Sequence, residues 1–477
     1  MACFWLCGLT LSMSAQPPTW VTEQVFLDAV LTHHPIARQA ELIEEGARAK
    51  QQSARGAFDP VLSGQEKGKV WDGTRYYALT EANLVLPTAS PIDVVIGRDD
   101  AEGTRVDASR VLPEGGQWRA GIRVDLGQGL LTDARRTALR QAEVIVELGA
   151  AARQLMELDL RLDAQRAYWS WWKAETELDV SLEAAALART QLAQVNRAVG
   201  EGARAAIDTV EAGLILSRRL SDLEWAKSNV ISARAKVEAM LWENGRPVAL
   251  DPIARPSGRA SDGPLAMDPR VEGAIQQAVL IPDAAAQRHP AVVEVEGQWV
   301  LQRYATRLAR QGLRPTIEGR MDWLTGLDPE LPASDAGLFS RPDWAGLDPS
   351  QRQATSIKVS MPLFLRKARG EVAQAEAELE KRRQKRLDMA RKWEVQFAAV
   401  KAALPAVVAS AEAADLAADQ SRQLLDAERA KWEMGESDLF RVNAREVSWV
   451  KARKAAISRE YDAQIAIREF EWWRADS

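Results

Sequence analysis

Cysteine is nearly absent. The chain of 477 residues has two, Cys3 and Cys7, both within its first seven positions, so no disulfide framework holds the remainder together. Histidine is almost as scarce, with only His33, His34 and His289, which leaves a zinc cage or a histidine-based triad almost no material. No Gly-x4-Gly-Lys-Ser/Thr motif occurs, and no Gly-x-Gly-x-x-Gly follows a strand, so nucleotide cofactors are not expected. Net charge is small as well. Against 62 Lys+Arg stand 67 Asp+Glu, a balance of −5, and nothing in it calls for a nucleic-acid partner. Beyond the first fifteen residues no unbroken apolar run approaches the roughly 18–20 residues of a transmembrane helix. A chain like this would enter a membrane as strands. These absences together predict a protein that is not an enzyme and carries no cofactor or metal.

Apolar residues are plentiful, at 46%, enough to bury a sizeable core. Residues 1–15 carry the run Phe4-Trp5-Leu6-Cys7-Gly8-Leu9-Thr10-Leu11 followed by Ser12, Ser14 and Ala15, the pattern of a secretory signal cleaved after Ser14 or Ala15. Tryptophan is frequent, with 17 copies. Trp71, Trp118, Trp323 and Trp344 fall in non-helical stretches and suit an aromatic girdle at a lipid interface. Trp169, Trp171, Trp172, Trp242 and Trp472 fall in helical pattern and read as core.

The chain repeats one plan twice. In residues 16–56 Thr22 can cap a short helix, His34-Pro35 follows, and an Ala/Glu/Gln-rich helix runs to about Arg55. Residues 57–126 read as strands and turns, among them Trp71-Asp72-Gly73 and an alternating run from Trp118 to Leu126. Residues 127–244 read as a long hairpin. About seventy residues from Leu130 to Val199 lack proline, and Leu148, Leu155, Leu162 and Trp169 recur every seven positions, a coiled-coil seam. The chain reverses at Gly200-Glu201-Gly202, and the returning helix carries Leu216, Leu223, Val230 and Val237. After a proline-dotted linker at 245–268 the plan restarts: helices in 269–312 around His289-Pro290, a second β segment in 313–364, and a second long hairpin in 365–477, interrupted by Pro405 and reversing near Gly435. Leu130 to Gly202 and Leu363 to Gly435 both span 72 residues, an offset of 233. Equal spacing in equal order argues for duplication.

These pieces resemble the TolC-like outer-membrane efflux protein family over essentially the whole chain beyond residue 15. The resemblance rests on the two His-Pro starts, on Met361-Pro362-Leu363-Phe364 leading into a long helix, and on the tip motif Gly-x5-Asp-x3-Ala, matched by Gly202, Asp208 and Ala212. It implies an α+β, mostly helical fold: a duplicated unit of long coiled-coil hairpins plus short β segments, in which three chains form a periplasmic α-barrel joined to a shared outer-membrane β-barrel. It implies a passive exit duct for a tripartite efflux or type I secretion system. The partners would be outer-membrane lipid, a periplasmic adaptor and an inner-membrane pump of resistance-nodulation or ABC type. The tip residues Glu201, Gly202, Arg204, Asp208, Gly435, Ser437, Arg441 and Asn443 would form the gate and the adaptor contact. The bland reading makes Asp208 and Ser437 simple helix caps. Physical logic agrees with the pooled barrel, because a sheet edge left open in lipid strands its backbone groups. The chain departs from the family pattern at the second tip, where Arg441 stands at the position of Asp208, and at Leu126-Gly127-Gln128-Gly129, which lacks the proline. The first β segment is longer than two membrane strands need, which predicts extra loops or strands outside the membrane. Alternative readings are a periplasmic adaptor (membrane fusion) protein, which carries one hairpin rather than two, and a coiled-coil scaffold without membrane contact.

Overall fold

The computed structural model describes residues 19–107, 111–113, 115–258, 265, 268–282, 288–326, 342–344 and 348–475. The signal-like segment 1–15 lies outside them. In chain order the elements are β1 (Thr19–Val21), α1 (Glu23–His33), α2 (Pro35–Arg55), β2 (Val61–Trp71), β3 (Thr74–Pro87), β4 (Ile92–Glu102), β5 (Gln117–Asp125), α3 (Ala134–Gly200), α4 (Ile207–Met240), β6 (Trp242–Glu243), β7 (Arg246–Pro247), β8 (Ala254–Pro256), α5 (Pro269–Leu280), α6 (Pro290–Gln311), β9 (Thr316–Thr325), β10 (Gln353–Ser360), α7 (Arg366–Glu433) and α8 (Leu439–Arg474). The chain divides into two compact units. One takes residues 1–42, 152–292 and 390–477, and the other takes 43–151 and 293–389.

The first unit is helical. Thr22 caps α1 by accepting a hydrogen bond from the Val25 N–H at 3.3 Å. Phe26, Leu27 and Val30 then bury against Leu160, Ala164, Tyr168, Trp169 and Trp171 of α3 and Val230 and Val237 of α4. In the second repeat Val271, Ala274 and Ala278 of α5 pack with Phe397, Leu404 and Val408 of α7 and Ala463, Ile467 and Phe470 of α8. The long helices are therefore held at their bases by a short helix each, in both repeats. The proline-dotted stretch is not all linker: β8 pairs in parallel with β1, and the Tyr168 hydroxyl donates to the Val21 carbonyl at 2.9 Å. Pro405 does not break α7, which is continuous through it. Its ring sits on the exposed side of the helix, between the buried Leu404 and Val408, where water can reach the carbonyl that its missing N–H leaves unpaired. Contrary to the count of unbroken apolar runs, α7 does contain an 18-residue window with a mean hydropathy of 1.4, apolar enough by length and composition to cross a membrane. Alanine accounts for the difference, since a few charges interrupt the run without lifting the average.

The second unit is built on one sheet of six strands in the order β10-β9-β5-β4-β3-β2, every neighbouring pair antiparallel. The first β segment supplies four of these strands and the second supplies two, so the surplus length expected outside the membrane lies in the same sheet. Asp72 and Gly73 both adopt left-handed backbone, at φ 54° and 75°, the geometry of a two-residue hairpin between β2 and β3. Asp99 to Glu102, charged as they are, belong to β4. Against the sheet's helices, Gly149 of α3 approaches α2 so closely that an added Cβ would lie 2.6 Å from the Ala47 methyl. That contact explains a glycine inside an otherwise uninterrupted helix.

Candidate functional site

The two reversals are built alike. Gly202 has φ 73° and donates its N–H to the Val199 carbonyl at 3.0 Å, while the next N–H, of Ala203, reaches back to Ala198 at 2.9 Å. Gly435 has φ 81°, bonds to Trp432 at 3.1 Å, and Glu436 reaches Lys431 at 2.9 Å. Each pair of bonds closes a long helix with a glycine at the residue after the cap. Around these turns Val195, Ala212 and Leu439 form a small buried cluster with Leu192, Val199 and Trp432 at its edge. The Arg204 guanidinium lies over the Trp432 ring, 5.5 Å from its centroid, and 3.8 Å from the Asp208 carboxylate. The first tip is thereby fastened to the second.

The remaining tip residues do not act as helix caps. Ala206 occupies the cap position of α4 with no side-chain bond, and Asp208 stands in the first turn, where its charge favours the helix dipole. At α8 the cap is Asp438, which accepts from the Arg441 N–H at 2.8 Å. Ser437 donates its hydroxyl to Glu428 of α7 instead. Glu201, Gly202, Gly435 and Arg441 are exposed, and Asn443 is half-buried beside the buried Val442.

Below the tips lies a group that sequence reasoning missed. Glu446 of α8 is fully buried. Its two carboxylate oxygens accept from Arg219 Nε of α4 at 3.0 Å and Gln191 Nε2 of α3 at 3.2 Å. One guanidinium nitrogen of Arg219 and the Oε1 of Gln191 find no partner. Burial pushes the Glu446 carboxyl up from its ordinary value, and the Arg219 charge only partly opposes this. The signal was available: Glu446 falls four residues after Val442 and three before Trp449, on the apolar stripe of its helix. A second buried pair ties the helix bases together. Glu23 is held by Arg468 and by Arg270 at 3.0 Å. Burial raises its pKa, but the hydrogen bonds and charge of Arg468, with the charge of Arg270, outweigh that and keep it below the usual carboxylate range.

The histidines do structural work. His34 Nδ1 accepts from the Ile36 N–H and His289 Nδ1 from the Ala291 N–H, both at 3.2 Å, so each imidazole stands in for an N-cap side chain at the His-Pro start of α2 and α6. His289 is also stacked among Trp393, Trp472 and Trp473. Burial drops its pKa to about 4, against a small opposing effect from the Trp472 carbonyl. Among the described residues no cluster of His, Cys, Asp or Glu could hold a metal.

Toward the ends of the strands that join α2 and α3 the sheet has one polar and one apolar face, and their placement is unusual; farther out Glu66, Arg98, Asp100 and Glu102 share the apolar face. The register puts Leu84 and Leu86 of β3, Val94 and Ile96 of β4, Ala120 and Ile122 of β5, Met321 and Trp323 of β9, and Ile357 and Val359 of β10 on one face. The opposite face carries Lys67 and Lys69, Glu81 and Asn83, Asp93 and Asp99, Arg119 and Arg123, Arg320 and Asp322, and Lys358. The sheet curls like half a barrel. Along β4 the charged face is the buried one, with Asp93 at 6% exposure, whereas Ile92 on the other side is exposed. Cross-strand pairs run along the charged face, Arg119 with Asp99 at 3.1 Å and Arg123 with Asp93 at 2.7 Å. Trp71, Trp118, Trp323 and Trp344 gather toward the end of the sheet away from α2 and α3.

No family model matches this chain, and no curated protein matches it by sequence. Solved structures share its fold. The CmeC outer membrane channel of Campylobacter jejuni superposes with a TM-score of 0.64 over 98% of this chain and 90% of that one, at 11% identity. The outer-membrane channel OprN gives 0.63 over 95% and 90%, at 14% identity. The open-state MtrE outer membrane channel of Neisseria gonorrhoeae gives 0.62 over 95% and 88%, at 15% identity.

Proposed function

We propose, taking as premise that the chain has the fold of TolC-like outer-membrane channels, that it is the exit duct of a tripartite efflux or type I secretion assembly. Three copies close one barrel in the outer membrane, and their helices stand in the periplasm. The tips around Glu201–Asp208 and Gly435–Asn443 receive a periplasmic adaptor coupled to an inner-membrane pump of resistance-nodulation or ABC type. Conduction is passive, and the machinery for it is a lumen and a gate rather than a reacting group.

The observation that carries this reading is the inverted polarity of the sheet. In water a sheet buries its apolar face; here Asp93 and Asp322 of the charged face are buried while Ile92, Ile357 and Val359 of the apolar face are exposed, the polarity of a barrel in lipid around an aqueous lumen. The helices add support for association. Trp225 is 71% exposed, Ile231 70% and Phe440 70%, and only 22% of the apolar window of α7 is buried within the chain. Copies of the chain are the natural cover for such surface. The adaptor alternative would have one long hairpin, and this chain has two.

The test is cell fractionation followed by native mass measurement. The duct reading expects the protein in outer-membrane fractions, extractable only with detergent, at the mass of three chains. A water-soluble monomer overturns it. Within an intact export system, Gly202→Val or Gly435→Pro is expected to abolish export while the trimer still assembles, and wild-type export by both variants would remove the tips from the account.

A further inference from the structure

Among the described residues each chain brings six strands to one sheet. The hairpin β3–β4 lies between β2, which follows α2, and β5, which leads into α3. It is no excursion above a four-stranded wall. β3 pairs with β2 from Val61↔Val85 onward and with β4 from Pro87↔Asp93 onward, and β4 pairs with β5 from Ile92↔Val124 to Asp99↔Gln117. All of these strands reach the same end of the sheet, and toward it Leu84 and Leu86 of β3 and Val94 and Ile96 of β4 continue the apolar face of β5, while Asn83, Glu81, Asp93 and Asp99 continue the charged one; farther out Arg98, Asp100 and Glu102 interrupt the apolar face. Side chains fasten the hairpin further. Arg119 of β5 crosses β4 to reach Asp99 at 3.1 Å and Asn83 of β3. Gly97 gives it room, since a Cβ there would lie 2.4 Å from Arg119 Nε. A loop outside the membrane would need neither the register nor this cleared space.

Among the described residues the outer edges of β2 and β10 have no partner strand, and in lipid both must be paired. Six is an even number, so the terminal strands run in opposite directions. β10 of one copy can thus meet β2 of the next in antiparallel fashion, with no parallel seam. We infer that the membrane wall is an eighteen-stranded barrel, closed by three copies through β10–β2 pairing, with β3 and β4 as full members of the wall. This inference rests on the trimeric duct reading above. At a strand spacing of about 4.8 Å and a tilt of about 40°, eighteen strands enclose a backbone diameter of about 36 Å, against about 24 Å for twelve. The lumen would be lined by charges of both signs, among them Asp93, Asp99, Arg119, Arg123, Arg320 and Asp322. The hydrated solutes such a wall suits include bulky ones, and selection would fall to the tips and the pump.

The experiment uses the full chain in lipid vesicles, with single cysteines at Leu84→Cys and Ile96→Cys on the apolar face of the hairpin and at Asn83→Cys and Glu81→Cys on the charged face. Each variant is probed with a lipid-phase and an aqueous thiol reagent, and native mass is measured on the same samples. The expected result is a mass of three chains, at least tenfold preference for the lipid-phase reagent at positions 84 and 96, and the reverse preference at 83 and 81. A trimer whose cysteines at 84 and 96 react mainly with the aqueous reagent places the hairpin outside the wall. That overturns the eighteen strands and leaves the duct standing. A monomer without affinity for vesicles overturns the duct itself.

Discussion

The two repeats fill equivalent core positions with different volumes. At the offset of 233, Ala164 corresponds to Phe397, Trp171 to Leu404, Val230 to Ala463 and Val237 to Phe470, and all eight are buried. Large and small have been exchanged across the pairs, with Trp171 and Val230 bulky on one side and Phe397 and Phe470 on the other. Each core fills its own space while the helices keep the same length and the same turn. Packing density is thus maintained by compensation within a repeat, and equal side chains are not required for equal architecture.

Substituting one repeat's residue into the other breaks that compensation. Phe397→Ala, which installs the residue of the first repeat in the second, is expected to cost about 4 kcal/mol in denaturant unfolding, from lost burial and the cavity left behind. A cost below about 1 kcal/mol would mean the two cores are interchangeable.

The buried carboxylate sharpens the contrast. Glu446, Arg219 and Gln191 have Gly213, Ala452 and Leu424 at their counterparts, so the polar clasp exists once, in one orientation. Glu446→Leu is expected to cost about 3 kcal/mol because it strands a buried guanidinium, and the double variant with Arg219→Met should recover most of it. The raised pKa sets the pH behaviour: the folded state binds this proton more tightly than the unfolded chain, so this group's contribution to stability rises as pH falls through its folded pKa.

The histidines make the next comparison. His289 resists protonation down to about 4, so between its ordinary value near 6.5 and about 4 the unfolded chain binds the proton more readily. Stability should fall by roughly 3 kcal/mol across that window, as read by melting temperature against pH, and His289→Gln should flatten the profile. His34 makes the same backbone bond but is less buried; its pKa is lowered too, by burial. His34→Gln should change the profile less. The smallest effect belongs to the tips. Gly202→Ala and Gly435→Ala meet no neighbouring atom within 4 Å, so each should cost only the left-handed backbone penalty of about 1 kcal/mol, equally in both repeats.

Much of this was legible in the sequence because it is periodic or positional. The seven-residue rows locate the seams: Leu162, Trp169, Leu223, Val230 and Val237 are buried as those rows require, while Leu148, Leu155 and Leu216 are half-buried. The glycine turns and His-Pro starts could be placed by arithmetic. What escaped has no local signature. The pairing of β1 with β8 joins segments more than two hundred residues apart, and the glycine-rich, lysine-bearing β2 has too little apolar alternation to announce a strand. It becomes a strand because β3 pairs along its whole length. At the tips the spacing located Asp208 and Ser437, but which side chain caps a helix depends on the chain's path into the first turn, and Asp438 takes that place.

The central claim is that the sheet's apolar face meets lipid, and β5 tests it most directly because it lies inside the sheet, paired with β4 on one side and β9 on the other. Single cysteines scanned from Gln117 to Asp125 in vesicles should alternate strictly, with Trp118, Ala120, Ile122 and Val124 reached by a lipid-phase reagent and Gln117, Arg119, Gly121 and Arg123 reached only from water. Aqueous access at all nine positions would contradict the account.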